Sequence, residues 1–143
     1  MEQKKYKIGY TTGVFDMFHV GHLNILQRAK EQCEYLIVGV STDEVVQSYK
    51  HKNPIIPFEE RCAIVSAIKY VDKVVPQVSM DKMEAYKKLG FDALFHGSDW
   101  KGSDMYNKIS EEFKAVGVEV VFLPHTDGVS STQLAEILSD KTK

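Results

Sequence analysis

The chain has 143 residues, 43% hydrophobic and 27% charged, with a formal net charge of −2. That length suits one compact domain with a sizeable core and is short for two. The charge leaves no basic footprint for nucleic acid or an anionic membrane. No apolar run approaches a membrane span, and Met1 to Tyr6 lacks the apolar stretch of a signal peptide. Cys33 and Cys62 fall in helix-like segments without CxxC spacing, as expected of reduced, partly buried thiols. A soluble, cytoplasmic protein is expected.

Strand-length apolar runs alternate with helical patterns. Lys7 to Thr12 reads as a first strand ending at Gly13, and Leu23, Leu26, Ala29 and Cys33 recur at helical spacing. Tyr35 to Val40 is an unbroken apolar run, which suits a strand buried on both faces of a parallel sheet. Ser41 followed by Glu44 resembles a capping box opening a short helix. Lys50 to Pro57, with two prolines, reads as a loop; Phe58 to Tyr70 as a helix; Val71 to Val75 as a short strand ended by Pro76. Met80 to Leu89 is helical and stops at Gly90, Asp92 to Phe95 is a strand, Asp104 to Val116 a helix closed by Gly117, and Val118 to Leu123 a strand. A loop from Pro124 to Ser130 leads to a last helix from Ser131 to Leu138. About five strands joined by helices predict a single α/β domain, a Rossmann-like doubly wound parallel sheet. Ligands of such sheets sit beyond the carboxyl ends of the strands, where Gly13 to His22, Ser41 to Thr42, His96 to Trp100 and His125 to Thr132 all fall.

The densest chemistry is His19-Val20-Gly21-His22, behind Val14-Phe15-Asp16. Imidazoles at i and i+3 share a helix face and can meet one ligand. Gly21 removes a side chain where a ligand approaches the backbone, and a helix start offers N–H groups to phosphate. Ser130, Ser131 and Thr132 repeat that chemistry at the start of the last helix. There is no metal-ligand spacing, no P-loop, no dinucleotide fingerprint and no nucleophile elbow.

Val14-Phe15-Asp16 with His19-Val20-Gly21-His22, and Gly128-Val129-Ser130-Ser131-Thr132, resemble the two signatures of the nucleotidylyltransferase superfamily. Glu59-Glu60-Arg61 and Tyr70-Val71-Asp72 resemble its cytidylyltransferase branch, the glycerol-phosphate type nearest and the ethanolamine- and choline-phosphate types next. The resemblance runs from about Lys7 to Leu138. It implies transfer of CMP from CTP to a small phosphorylated alcohol such as glycerol 3-phosphate, with pyrophosphate released, in a homodimer.

Catalysis of that transfer is electrostatic positioning. The resemblance implies that His19 and His22 donate to phosphate oxygens and that Val14, Phe15 and Gly21 contribute backbone. Asp16 either orients a donor or holds the turn. Lys50 or Lys52 contacts the triphosphate, Lys50 being the better candidate. Arg61 either meets phosphate or pairs with Glu59 or Asp72. Lys69 stands where the glycerol type often has arginine, losing the planar fork. Gly97 and Asp99 would meet the base or ribose, and Lys82 the acceptor's phosphate. Thr126, Gly128, Ser130, Ser131 and Thr132 complete the triphosphate site. His125 stands where the family has an arginine, exchanging a permanent bidentate charge for a group that titrates near neutral pH. Mg²⁺ is expected on the nucleotide's phosphates, with no protein metal site. Adenylyl transfer from ATP, or a non-catalytic nucleotide-binding module, are the competing readings.

Overall fold

The computed structural model describes residues 5–79, 81–97 and 104–123. The expected last loop and helix lie outside them. Five parallel strands form one sheet: β1 (Tyr6–Gly13), β2 (Cys33–Ser41), β3 (Lys73–Gln77), β4 (Ala93–Gly97) and β5 (Glu119–Leu123). They stand in the order β3-β2-β1-β4-β5, so the chain winds outward from β1 in one direction and then in the other. The reversal puts a topological switch point between β1 and β4, the place where such sheets open a crevice for ligands.

Both faces of the sheet are covered. Helix α1 (Val20–Gln32) and α3 (Phe58–Ser66) pack Leu26, Ala29 and Val65 against Leu36, Val38, Val40 and Phe95 on one face. On the other, α4 (Lys82–Leu89) and α5 (Asp104–Ala115) pack Met83, Tyr86 and Phe113 against Tyr10, Ile37 and Leu94. Each large apolar side chain so enclosed contributes roughly 1.5–3 kcal/mol. Burial on both sides explains why β2 reads as one apolar run. Tyr10 stacks on Phe91 at 4.8 Å, and the bare Cα of Gly39 makes room for it: a Cβ there would stand 2.4 Å from the Tyr10 hydroxyl.

Several boundaries differ from the sequence expectation for local reasons. The cap of α2 (Asp43–Lys50) is Thr42, whose Oγ1 accepts from Val45 N–H at 3.2 Å; Ser41 is instead buried, donating to Gln77 at 2.7 Å. Lys50 therefore closes α2 and does not open the loop, with His51 in the left-handed region after it. Helix α3 stops at Ser66. Ile68 N–H then bonds Val65 O and Val71 N–H bonds Ile68 O, tighter turns that keep Ile68 and Tyr70 on the core and prolong the helical pattern. Pro76 sits within β3, which pairs only with β2, and an edge strand tolerates the missing donor. Cys33 opens β2, buried, its thiol donating to Ala29 O. Gly90 caps α4 in the left-handed conformation, as expected.

Candidate active site at the switch point

The turn between β1 and α1 carries two residues in the left-handed region, Phe15 (φ 55°) and Met17 (φ 49°). Non-glycine residues held there cost on the order of 1 kcal/mol each and persist where surroundings fix them. Burial of the Phe15 ring, 5.4 Å from that of His22, does so here. His19 is the N-cap of α1: its Nδ1 accepts from Gly21 N–H at 3.0 Å, and His22 Nδ1 accepts from His19 N–H at 3.3 Å. The two histidines thus form a reciprocal capping box. A ring whose Nδ1 accepts carries its proton on Nε2, so both imidazoles turn a donor away from the helix. The rings stack 4.0 Å apart. Burial lowers the proton affinity of both; His22, where the neighbouring His19 adds to burial and Asp16 opposes it, falls to about 4. At neutral pH the pair is uncharged, and receives an anion without self-repulsion.

Arg61 has 0% exposure, and its ion-pair partner is neither Glu59 nor Asp72. Its Nη2 pairs with Asp43 at 2.5 Å, Nη1 donates to Val14 O and Ser41 O at 2.7 Å each, and Nε donates to Ile56 O at 2.9 Å. All three guanidinium nitrogens are engaged by protein, binding the ends of β1 and β2 to α3. Asp72 instead pairs with Lys30 at 2.5 Å. The Asp16 carboxylate accepts from Ile55 and Ile56 N–H, both at 2.8 Å. Ile56 is therefore gripped at its N–H by Asp16 and at its carbonyl by Arg61, which fixes the proline-flanked loop to the turn behind β1. Asp16 thus holds the chain at this turn.

On the other side of the switch point, the Lys82 ammonium donates to Thr12 Oγ1 at 2.8 Å, and the lysine is only 5% exposed. Burial pulls its pKa down to about 8. Gly97 ends β4 facing α1, where a Cβ would stand 3.8 Å from Ile25 Cδ1. The structure thus brings Val14, Phe15, His19, Gly21, His22, Gly97 and Lys82 to one end of the sheet. It does not bring Lys69 there. Lys69 follows α3, ahead of β3, at the opposite ends of the strands, with its ammonium over the Tyr70 ring at 5.2 Å. Lys52 is exposed on the loop that Asp16 holds, and the side chain of Lys50 lies outside the description. Asp99, Trp100, His125, Thr126, Gly128, Ser130, Ser131 and Thr132 also lie outside the described residues. Thr12 and Asp43 escaped the sequence reading as site residues, and His96 entered it only as the first residue of a strand-end segment. Only their places at strand and helix ends could have pointed to them.

Among the described residues no three His, Cys, Asp or Glu side chains are grouped to hold a metal ion, and no helix is long and apolar enough to cross a membrane. Two neutral donors at a helix start and a buried ammonium across the crevice suit phosphate groups. The comparisons agree. The chain is 39% identical to a glycerol-3-phosphate cytidylyltransferase of Bacillus spizizenii over 87% of this chain and 91% of that one. It is 37% identical to an FAD synthase of Thermococcus kodakarensis, with 87% and 85% covered. A crystal structure of a lipopolysaccharide core biosynthesis protein from Thermoplasma volcanium superposes with a TM-score of 0.75 at 27% identity, covering 85% of this chain and 99% of that one. The model of the cytidylyltransferase-like family matches residues 10–137, a span that takes in the histidine turn and the switch point: the chain is a member of the cytidylyltransferase-like family.

Proposed function

We propose that this protein transfers CMP from CTP to glycerol 3-phosphate, giving CDP-glycerol and pyrophosphate, in the cytoplasm. The observation that carries the chemistry is the histidine capping box, which aims two neutral Nε2–H donors from the N-terminus of α1. The acceptor's phosphate oxygen attacks the α-phosphorus of CTP, and the bond from that phosphorus to the bridging oxygen of the β-phosphate breaks. Charge builds on the α-phosphate oxygens and the leaving pyrophosphate, where donors fixed in advance are worth most. His19 and His22 supply them, and Lys82 across the crevice holds the acceptor's phosphate. The loop held by Asp16 brings Lys50 or Lys52 toward the triphosphate. Val14, Phe15, Gly21 and Gly97 line the approach with backbone, and Asp99, His125, Thr126, Gly128, Ser130, Ser131 and Thr132 complete the nucleotide site.

The donors of the described site are imidazoles and an ammonium, a poor set for a hard cation. Mg²⁺ is therefore assigned to the nucleotide's own phosphates, as part of the substrate. The glycerol acceptor rests on relatives such as the Bacillus spizizenii enzyme. A homodimer is also proposed: β3 is an edge strand, and Val78 beyond it and Ile64 on α3 stand 61% and 42% exposed.

Purified protein with Mg²⁺, CTP and a panel of phosphoalcohols should release pyrophosphate fastest with glycerol 3-phosphate, well above a His22→Ala control. The likeness to an FAD synthase gives adenylyl transfer a specific footing. Stabilisation against heat by ATP and not by CTP would replace the base assignment, and nucleotide binding without turnover on any acceptor would leave a binding module.

A further inference from the structure

Three side chains from three elements meet on the α4 face of the switch point. Thr11 pairs with Phe95 in the β1–β4 register, so Thr12 lies beside His96 one step further on. Adjacent strands run about 4.8 Å apart, and laterally paired residues share a face. That face is the one carrying Tyr10 and Leu94, which α4 covers. Lys82, the first residue of α4, reaches back over it to Thr12 Oγ1. His96 is 8% exposed, and the Lys82 ammonium acts on it as a like charge that, added to burial, keeps the imidazole neutral.

No carboxylate among the described residues pairs with Lys82. Asp81 spends its oxygen on Met83 and Glu84 N–H, and Glu84 pairs with Lys88. A buried ammonium whose hydrogen bond goes to a hydroxyl, with no carboxylate beside it, is costly. A bound anion removes that cost. A carboxylate or phosphodiester offers two terminal oxygens, one too few for three donors. A phosphomonoester offers three, one each for the Lys82 ammonium, an imidazole N–H and the Thr12 hydroxyl. Gly97 faces α1 while His96 faces α4, so this pocket and the histidine capping box flank the same strand ends from opposite faces. Two phosphates that must meet in line would enter from those two sides.

We propose that His96 is a second binding residue for the acceptor, forming with Lys82 and Thr12 a pocket that selects a phosphomonoester dianion. It rests on the cytidylyl-transfer reading above. The test is the steady-state kinetics of the full chain with CTP and glycerol 3-phosphate, in the wild type and in His96→Leu, His96→Gln and Thr12→Val. His96→Leu should raise the KM for glycerol 3-phosphate about tenfold, the loss of one hydrogen bond to a charged group. The KM for CTP should stay within about twofold. Glutamine keeps an N–H donor and should restore the acceptor KM to within about threefold of wild type. An unchanged acceptor KM in His96→Leu, or equal rises for CTP and acceptor, would overturn the proposal. If His96→Leu does not fold, Thr12→Val decides: it should weaken the acceptor alone, and an unaltered acceptor KM sinks the pocket. If the wild type turns over no phosphoalcohol, cytidylyl transfer itself fails. Calorimetry with inorganic phosphate then tests the pocket separately: binding weakened in His96→Leu or, where that variant does not fold, in Thr12→Val supports it, and equal binding does not.

Discussion

His22 and Arg61 show what a single side chain does here and how far a pattern reveals it. The spacing of His19 and His22 lets both rings meet one ligand, and it was the rest of the chain, with the family resemblance, that pointed to phosphate. The spacing did not announce that the same rings cap the helix through Nδ1, a task usually left to Ser, Thr, Asp or Asn. The cap bond of His22 is long, 3.3 Å, so losing that bond removes little of the helix's stability. His22→Ala should therefore lower kcat by about 10²–10³, while the midpoint of urea unfolding moves little. A fall in stability matching the loss of rate would make the residue structural. Arg61 was illegible for the opposite reason. Its acceptors come from the ends of β1 and β2, from α2 and from the loop, and no local period records their convergence. Arg61→Met leaves Asp43 and three carbonyls without their donor. It should cost about 3–5 kcal/mol of stability by urea unfolding.

At the scale of elements, the order of strands and helices was readable because each apolar run and each helical stripe is set by burial against the sheet. Their ends were less so. Thr42 and not Ser41 caps α2 because Ser41 is drawn into a buried bond with Gln77, a partner 36 residues away. The loop after α2 was readable from its prolines, but its attachment was not: Asp16, 39 residues before Ile55, holds it by two bonds from the turn behind β1. Asp16→Asn puts an amide where one backbone N–H now finds an oxygen. The loop should detach, with the KM for CTP raised about tenfold, the loss of one charge-assisted bond, and faster proteolytic cleavage between residues 51 and 57. Cleavage and KM at wild-type values would separate the loop from the nucleotide. Inside the sheet, Gly39→Ala forces a methyl to within 2.4 Å of the Tyr10 hydroxyl and should cost about 1–3 kcal/mol in thermal unfolding.

Across the whole molecule, the imidazoles that would bind phosphate are kept uncharged by the fold, and that choice sets how stability varies with pH. His22 falls to about 4 and His96 to about 3, from an ordinary value of 6.5, chiefly through burial. His19 moves in the same direction. Between the folded and unfolded values the unfolded chain binds protons that the native state does not. Stability therefore rises with pH through that window: it is fully present above about pH 6.5 and is lost as pH falls toward 4. Each histidine contributes a slope of up to about 1.4 kcal/mol per pH unit. Most carboxylates titrate below this range, so urea unfolding at about pH 5, 6 and 7 isolates the histidines. The wild type should lose stability steadily from pH 7 to 5, and a His22→Gln, His96→Gln double variant should lose much less. Bound CTP should steepen the dependence of the nucleotide complex in the other direction, since a triphosphate favours protonated imidazoles and tightens its own binding as the pH falls toward 6. Equal slopes for wild type and double variant would mean that the two imidazoles are not kept neutral by burial, and that the site meets its phosphates already charged.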